Sequence, residues 1–286
     1  MERTCIKFGP AGNGEGFTAA GYRKTLEVPD YLSSLGLTAY EYQCGRGVRI
    51  KEEAAREFGE RARTAGIALS LHAPYYISLS GAEEEKRLGS LRYIRESAVA
   101  ALAMGADRVI VHSGSCAKME RETALELAKD TLRRALLDLR ENGLSEVSLC
   151  PETMGKINQL GTLAEVLELC KLDESFIPCI DFGHLNARTL GGITGAASYR
   201  EILDEMENAI GRDRTAVFHS HFSKIEYTKS GEKRHLTFAD ELFGPTFEPL
   251  AEEIYRRGYR PTIICESAGT QDIDAQWMKR YFENLG

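Results

Sequence analysis

An alternation of short apolar runs with longer amphipathic segments constrains the fold of this chain most strongly. Eight runs rich in apolar or β-branched residues occur at positions 4–8, 39–42, 68–72, 108–112, 147–152, 177–181, 216–221 and 262–266. Segments between them carry apolar residues at three- and four-residue spacing and often end near a glycine, as at positions 53–64, 85–104, 120–142, 163–170 and 199–210. The pattern predicts eight strands that alternate with helices.

Eight strand-and-helix units within 286 residues favour a (β/α)8 TIM barrel of the α/β class. A doubly wound open sheet usually has fewer strands or is joined to a second domain. Because no linker or low-complexity tract divides the sequence, we expect one domain over residues 1–286.

Composition and charge limit the remaining classes. No run approaches the roughly 18 apolar residues that a membrane span needs, and the first residues lack the regions of a signal peptide. We therefore expect a cytoplasmic protein without a membrane partner. The sequence leaves the oligomeric state open, with a monomer as one possibility. The seven cysteines include no CxxC pair, which favours reduced thiols, with Cys150 and Cys179 as buried packing residues. A net charge of −7 gives no general nucleic-acid footprint, although it leaves the charge at one site open.

Histidines and carboxylates follow or end most of the predicted strands. The C-terminal ends of six strands carry His72, His112, Glu152, Asp181, His219 and Glu266, while His184 and His235 lie in the loops after strands six and seven. In an eight-stranded barrel these ends form one rim, where active sites are found. Neutral imidazoles combined with carboxylates are typical ligands of a divalent cation. Any single histidine could be a hydrogen-bonded structural residue, but the clustering of all six histidines near these ends predicts a metal centre.

These motifs resemble the endonuclease IV family of zinc-dependent apurinic/apyrimidinic endonucleases, within the xylose-isomerase-like TIM-barrel superfamily. The segment from His72 to Leu79 is similar to His-x-x-Tyr-[LI]-[IL]-Asn-Leu, and the segment around His112 is similar to His-Pro-Gly. The later matches are Glu152 through Gly155 to Glu-x-x-x-Gly, Asp181 through His184 to Asp-x-x-His, His219 through Lys224 to His-Leu-Asn-Asp-[SA]-Lys, and Glu266 to the closing Leu-Glu-Thr.

The resemblance implies two or three zinc ions. The first would be held by His72, His112 and Glu152, and the second by Glu152, Asp181, His219 and Glu266. His184 and His235 would hold the third. The family's Asp-Arg-His turn reads Lys233-Arg234-His235 here, so the aspartate is missing, and Glu232 could take its place from one residue earlier. Occupancy of the third site stays open at this point.

The resemblance also implies a DNA-repair hydrolase that cleaves the phosphodiester 5′ to abasic sites, with DNA as its partner. Glu152 and Glu266 would be catalytic, and Tyr75 and Lys224 would bind the substrate. A tyrosine packed on its own loop is the alternative for Tyr75. Further positive charge near the predicted rim is a weak indication of phosphate binding and comes from Lys7, Lys224, Lys229, Lys233 and Arg234.

The competing hypothesis is a sugar or sugar-phosphate isomerase or epimerase with one divalent ion and a small sugar substrate. Such an enzyme would need only Glu152, Asp181, His219 and Glu266. It leaves His72, His112 and His184 without a role, which favours the nuclease. A non-catalytic binding barrel is a third hypothesis, although an open centre rich in ligands usually carries out chemistry.

Overall fold

The computed structural model describes residues 6–286 and contains eight parallel strands that form a nearly closed barrel. The barrel strands are β1 (Lys7–Pro10), β2 (Ala39–Gln43), β3 (Ala68–His72), β4 (Arg108–His112), β5 (Ser148–Glu152), β6 (Cys179–Asp181), β7 (His219–Phe222) and β10 (Thr262–Cys265). Their order is β1-β10-β7-β6-β5-β4-β3-β2. A separate antiparallel hairpin, β8 (Ile225–Thr228) and β9 (Gly231–His235), follows β7. The predicted TIM-barrel fold is confirmed.

Helices surround the barrel between successive strands. They are α1 (Glu15–Ala19), α2 (Val28–Ser34), α3 (Glu52–Thr64), α4 (Glu84–Met104), α5 (Arg121–Glu141), α6 (Leu163–Cys170), α7 (Phe182–Arg188), α8 (Ala196–Ile210), α9 (Arg212–Thr215), α10 (Glu248–Arg257) and α11 (Gln271–Glu283). Helix α4 ends at Gly105 in the left-handed region, and α10 ends in the same way at Gly258. Within residues 6–286, no helix combines the length and apolar character that a membrane crossing requires.

The barrel closes between β1 and β2, where a glycine permits close approach. Thr38 N donates to Phe8 O at 2.9 Å, and Gly12 N donates to Glu41 O at 2.9 Å. A Cβ at position 9 would lie 1.8 Å from Ala39 O. Gly9 therefore allows the first and second strands to meet without a steric clash.

Two strands differ most in position from the sequence prediction. Strand β1 begins at Lys7 and runs to Pro10, later than the predicted positions 4–8, of which Thr4 and Cys5 lie outside the described residues. Strand β7 begins at His219 rather than at position 216. The intervening residues continue the turn of α9, because Ala216 N donates to Arg212 O at 2.7 Å. The shift extends β7 past the predicted end at His221, to Phe222.

The apolar core lies mainly between the sheet and the helices, where large side chains such as Phe8, Leu71 and Phe182 are fully buried. Inside the barrel, Cys150 and Cys179 pack with Ile110 in a small separate cluster, as expected for packing residues. Below the rim, the barrel also contains the buried polar residues Glu41, Ser70 and His219. A polar barrel interior directly supports the site above it.

Candidate metal centre

The mouth of the barrel, at the C-terminal ends of its strands, gathers a first group formed by His72, His112 and Glu152. Their ligand atoms lie within 4.8 Å of one another. Nε2 of His72 is 3.4 Å from Glu152 Oε2, and Nε2 of His112 is 3.5 Å from the same oxygen. Nδ1 of His72 lies 2.9 Å from Ala73 O, and because a carbonyl only accepts, Nδ1 carries the proton. Nε2 of His72 therefore faces Glu152, and in the neutral ring it does so with its lone pair.

A second group shares Glu152 and adds Asp181, His221 and Glu266, again with ligand atoms within 4.8 Å. Nδ1 of His221 lies 3.0 Å from Glu152 Oε1 and 3.6 Å from Glu266 Oε2. Oδ1 of Asp181 caps helix α7 by accepting from His184 N at 2.7 Å. The two oxygens of Glu152 thus face different groups, an arrangement suited to a bridging ligand.

The structure places His221, and not the predicted His219, beside the carboxylates of this second group. Both rings point into the barrel because side chains two residues apart on a strand share a face. His219 lies one such step, roughly 6.6 Å, further from the mouth. Its Nε2 contacts Glu41 Oε2 at 2.9 Å. The predicted residue, His219, is thus the deeper of the two histidines.

A third group is formed by His184, Glu232 and His235. Nε2 of His184 lies 3.4 Å from Glu232 Oε2, and Nε2 of His235 lies 4.0 Å from Glu232 Oε1. Nδ1 of His184 lies 2.9 Å from Thr153 O, and Nδ1 of His235 lies 2.8 Å from Ser223 Oγ. Both rings therefore direct Nε2 toward Glu232.

A β-bulge explains why Glu232, rather than Lys233, joins this group. The β8–β9 pairing shifts register: Glu226 pairs with Arg234, but the next residue, Tyr227, pairs with Glu232, so Lys233 has no partner. The extra residue reverses the alternation, which brings Glu232 onto the face of His235. Lys233 and Arg234 instead contact Glu226, each at 2.6 Å. Glu232 thus lies beside His184 and His235, whereas Lys233 does not.

The histidine rings control the charge of Glu152. Burial opposes its ionisation, yet the neighbouring rings of His221, His184 and His72 hold the pKa of the Glu152 carboxyl well below its usual range. In return, and against the effect of burial, Glu152 raises the pKa of His72 to about 9, while Asp181 and Glu152 raise that of His184 to about 10. The mouth therefore holds an ionised carboxylate, Glu152, beside imidazole rings whose pKa values are raised.

Two other groups respond mainly to burial. It raises the pKa of Glu266 and lowers that of His112 to about 4. Glu266 thus retains a proton at higher pH than an exposed glutamate does, whereas the His112 ring stays neutral.

The donor set fits divalent cations. Among residues 6–286, Glu152 Oε2 and Asp181 Oδ2 are buried and have no hydrogen-bond partner. An unpaired buried carboxylate oxygen is costly unless a cation or a donor satisfies it. Because both oxygens face imidazole nitrogens within the described groups, a cation between them would satisfy oxygens and nitrogens together.

Two residues at the mouth were expected to bind substrate. Tyr75 is 63% exposed, and its ring centroid lies 5.4 Å from that of His112, so its face borders the first group. The ammonium of Lys224 donates to Phe238 O at 3.0 Å and to Asp240 O. Lys224 thus anchors the loop between β9 and α10, and its ammonium group is partly occupied by these two hydrogen bonds.

The predicted basic rim is weaker than the sequence indicated. Lys7 begins β1, so it lies at the opposite end of the barrel, near Arg56 and Asp107. Lys233 and Arg234 are paired with Glu226. Among the predicted residues, Lys229 borders a surface hollow next to Glu232.

Glu41 is a buried polar residue that the sequence analysis did not single out. It lies in β2, fully buried, with oxygens 2.9 Å from His219 Nε2 and 2.9 Å from His221 Nε2. The signal available in the sequence was an acidic residue within an apolar strand, Ala39–Gln43. Such a carboxylate needs an internal partner.

Comparisons with known proteins agree with this architecture. The model of the xylose isomerase-like TIM barrel family matches residues 29–282 of this chain. An uncharacterized protein of Methanocaldococcus jannaschii is 35% identical over 258 residues, which cover 90% of this chain and 92% of that protein. A probable endonuclease 4 of Shouchella clausii is 24% identical over 226 residues, covering 74% of each chain.

Solved structures of two kinds share the fold. A D-tagatose 3-epimerase-like protein superimposes with a TM-score of 0.72 at 16% identity and covers 98% of both chains. Endonuclease IV from Thermus thermophilus superimposes with a TM-score of 0.67 at 21% identity and covers 97% of this chain and 99% of its own. At these identities the likeness shows the fold alone. With a family model that spans most of its length, the chain belongs to the xylose isomerase-like TIM barrel family.

Proposed function

We propose that this protein is a zinc-dependent phosphodiester hydrolase of the endonuclease IV type, which cleaves DNA 5′ to abasic sites. The observation that carries the proposal is the presence of three adjoining ligand groups at one barrel mouth, two of which share Glu152. A reaction at a single cation would leave the histidines of the first and third groups unexplained. The similarity to a probable endonuclease 4 over 74% of the chain supports the same function.

In this proposal the ligands follow the three groups. The first ion is held by His72, His112 and Glu152, the second by Glu152, Asp181, His221 and Glu266, and the third by His184, Glu232 and His235. His221 replaces His219 in the second set because only His221 lies beside the carboxylates. Divalent ions held there would supply Lewis acidity, which favours ionisation of water near neutral pH and offsets charge on a phosphate.

The protein's own groups supply the other parts of the reaction. Glu266 Oε2 lies 3.6 Å from His221 Nδ1, so its carboxylate is placed at the second group, where it can accept a proton from attacking water. Tyr75 presents an exposed ring at the edge of the mouth, where it can stack on a base next to an abasic gap. The exposed ring of Tyr75 and the buried ligand groups below it would together orient a phosphodiester over the site.

The experiment measures bound metal and cleavage in one preparation. Protein purified without chelator is analysed for metal and incubated with a duplex that carries one abasic site. We expect two or three zinc ions per chain and nicking 5′ to the lesion, and we expect Glu152→Gln to abolish nicking. Glu253→Gln is the matched control, because Glu253 is a buried carboxylate on the outer helix α10 that pairs with Arg256. A wild-type preparation that holds its zinc and does not nick the duplex overturns the proposal.

A second candidate is a sugar isomerase or epimerase that uses one divalent ion. It is favoured by one observation: Glu152, Asp181, His221 and Glu266 form a complete four-residue ligand set by themselves. One manganese or magnesium per chain, together with isomerisation of a sugar and intact abasic DNA, would support this candidate over the nuclease.

A further inference from the structure

Behind the mouth, the carboxylate of Glu41 is held by a fixed set of contacts inside the barrel. Ser70 Oγ donates to Glu41 Oε2 at 2.9 Å, and Gln43 Nε2 donates to Glu41 Oε1 at 3.1 Å. His219 Nε2 lies 2.9 Å from Oε2. Because the carboxylate oxygens of Glu41 accept hydrogen bonds from Ser70, Gln43 and His219, the side chain cannot rotate without losing several of them.

Glu41 also lies directly behind His221. Oε1 of Glu41 is 2.9 Å from His221 Nε2, while Nδ1 of the same ring donates a hydrogen bond to Glu152 Oε1 at 3.0 Å. The ring is thus placed between a buried carboxylate on one side and the proposed ligand group on the other. The contact between Nε2 and Oε1 is close enough for an ion pair but lacks the alignment of a hydrogen bond. Among the described residues, Nε2 of His221 has no other hydrogen-bond partner.

The charge of Glu41 requires a partner. Its side chain is fully buried, and the described residues provide no lysine or arginine within ion-pair distance of it. An uncompensated carboxylate in a barrel interior is strongly unfavourable. The histidine rings of β7 are the groups that face it, and His221 connects it to the mouth.

We infer that Glu41 is a positioning residue: its negative charge beside Nε2 of His221 stabilises the ring proton there, so that a cation can displace the proton on Nδ1 and bind that nitrogen. The inference rests on the metal centre of the proposed function. Ligating histidines generally donate their second ring N–H to a carboxylate or carbonyl, which fixes the tautomer and the ring orientation. When Nδ1 is a ligand, the remaining ring proton is on Nε2, beside Glu41 Oε1. His219 and Ser70 hold Glu41 in that position.

Cys179 borders the same cluster and suggests a different arrangement. Ligand atoms of Cys179, His219 and His221 lie within 4.8 Å of one another. If these three residues bound a separate cation, His219 and His221 would be its ligands and Glu41 would have no positioning role. Replacement of the cysteine distinguishes the two arrangements.

The test compares zinc affinity in the full-length wild type and in Glu41→Gln by competition with a chromophoric chelator. We expect one ion per chain to bind about 10- to 100-fold more weakly in Glu41→Gln, with the affinity of the other ions unchanged. We expect kcat to fall while KM for the abasic duplex is retained. Ser70→Ala, which removes one hydrogen bond to Glu41, should weaken the same ion by about two- to tenfold. Cys179→Ser should leave the ion count and all affinities unchanged.

Each outcome is decisive. Unchanged zinc affinity in Glu41→Gln overturns the inference even if the variant is less stable, because a purely structural role predicts that combination. If Glu41→Gln does not fold, unchanged affinity in Ser70→Ala overturns it. Loss of an ion in Cys179→Ser also overturns it, in favour of the separate buried site. A wild type that binds no zinc removes the proposed function as well, whereas a zinc-loaded wild type with unaffected variants removes only this inference.

Discussion

Nδ1 of His221 lies 3.0 Å from Oε1 of Glu152, across the mouth of the barrel. His219, two residues earlier, contacts Glu41 but none of the carboxylates of the second group. We therefore expect His221→Asn to reduce kcat/KM on an abasic duplex by more than about 100-fold, since a ligand is lost and not only an outer partner. His219→Asn should reduce it by less than that. Metal analysis and steady-state kinetics on both variants check the order, and an equal or reversed effect contradicts the assignment of His221.

The bulge in β9 predicts different roles for two adjacent residues. Glu232→Gln should lower the zinc content by one ion per chain, because Glu232 contacts His184 at 3.4 Å. Lys233→Gln removes only the contact with Glu226 and should leave the zinc content unchanged. The measurement is metal content after dialysis against a weak chelator. Loss of zinc in the lysine variant, or full retention in the glutamate variant, contradicts the third group.

Tyr75 and Tyr76 form a matched pair at the surface, with exposed fractions of 63% and 55%. The ring of Tyr75 borders His112, whereas that of Tyr76 packs near Tyr93. Tyr75→Ala should weaken binding of an abasic duplex by about 1–3 kcal/mol, the usual contribution of one stacked base. Tyr76→Ala should change it little. We expect the free energies of unfolding of both variants to lie within about 0.5 kcal/mol of the wild-type value, as is usual for surface substitutions. Equal duplex affinities in the two variants would contradict stacking by Tyr75.

The raised pKa of His72 predicts how the metal-free protein responds to alkaline pH. Glu152 raises the pKa of His72 to about 9 in the folded state, against a value near 6.5 in an unfolded chain. Between about pH 6.5 and 9 the folded state binds a proton on His72 that the unfolded state lacks. The contribution of His72 to the free energy of unfolding is therefore largest below this range and is lost as the pH rises through 9. In urea titrations of chelator-treated protein from about pH 7 to 9.5, His72→Gln should therefore lose less stability than the wild type. Parallel pH profiles for the two proteins would contradict the raised pKa.

Closure of the barrel depends on Gly9. Gly9→Ala would bring a Cβ within 1.8 Å of Ala39 O, so we expect destabilisation by at least about 2–3 kcal/mol. The control is Gly89→Ala in α4, where nothing lies within 4 Å and alanine should stabilise the helix by about 1 kcal/mol. Denaturant unfolding measures both. Similar stability of the two variants would show that β1 and β2 do not need this close approach.

Much of the architecture could be predicted from the sequence, because it follows from local periodicity. The runs at positions 68–72 and 108–112 coincide with β3 and β4, and apolar spacing of three and four residues indicated the surrounding helices. Once eight parallel strands are inferred, the rule that strand ends share one rim brings His72, His112 and Glu152 together. These relationships require only pattern and topology.

Tertiary structure decided which of several neighbouring side chains reaches the mouth. His219 and His221 have the same strand face, so periodicity could not separate them, and only the later start of β7 shows that His221 lies beside Glu152. A bulge, invisible in the sequence, exchanged Lys233 for Glu232. Glu41 gained its role from contacts with residues 178 and 180 positions away along the chain. Alternation and composition are local properties, whereas register, depth in the barrel and the partner of a buried charge depend on how distant strands pack together.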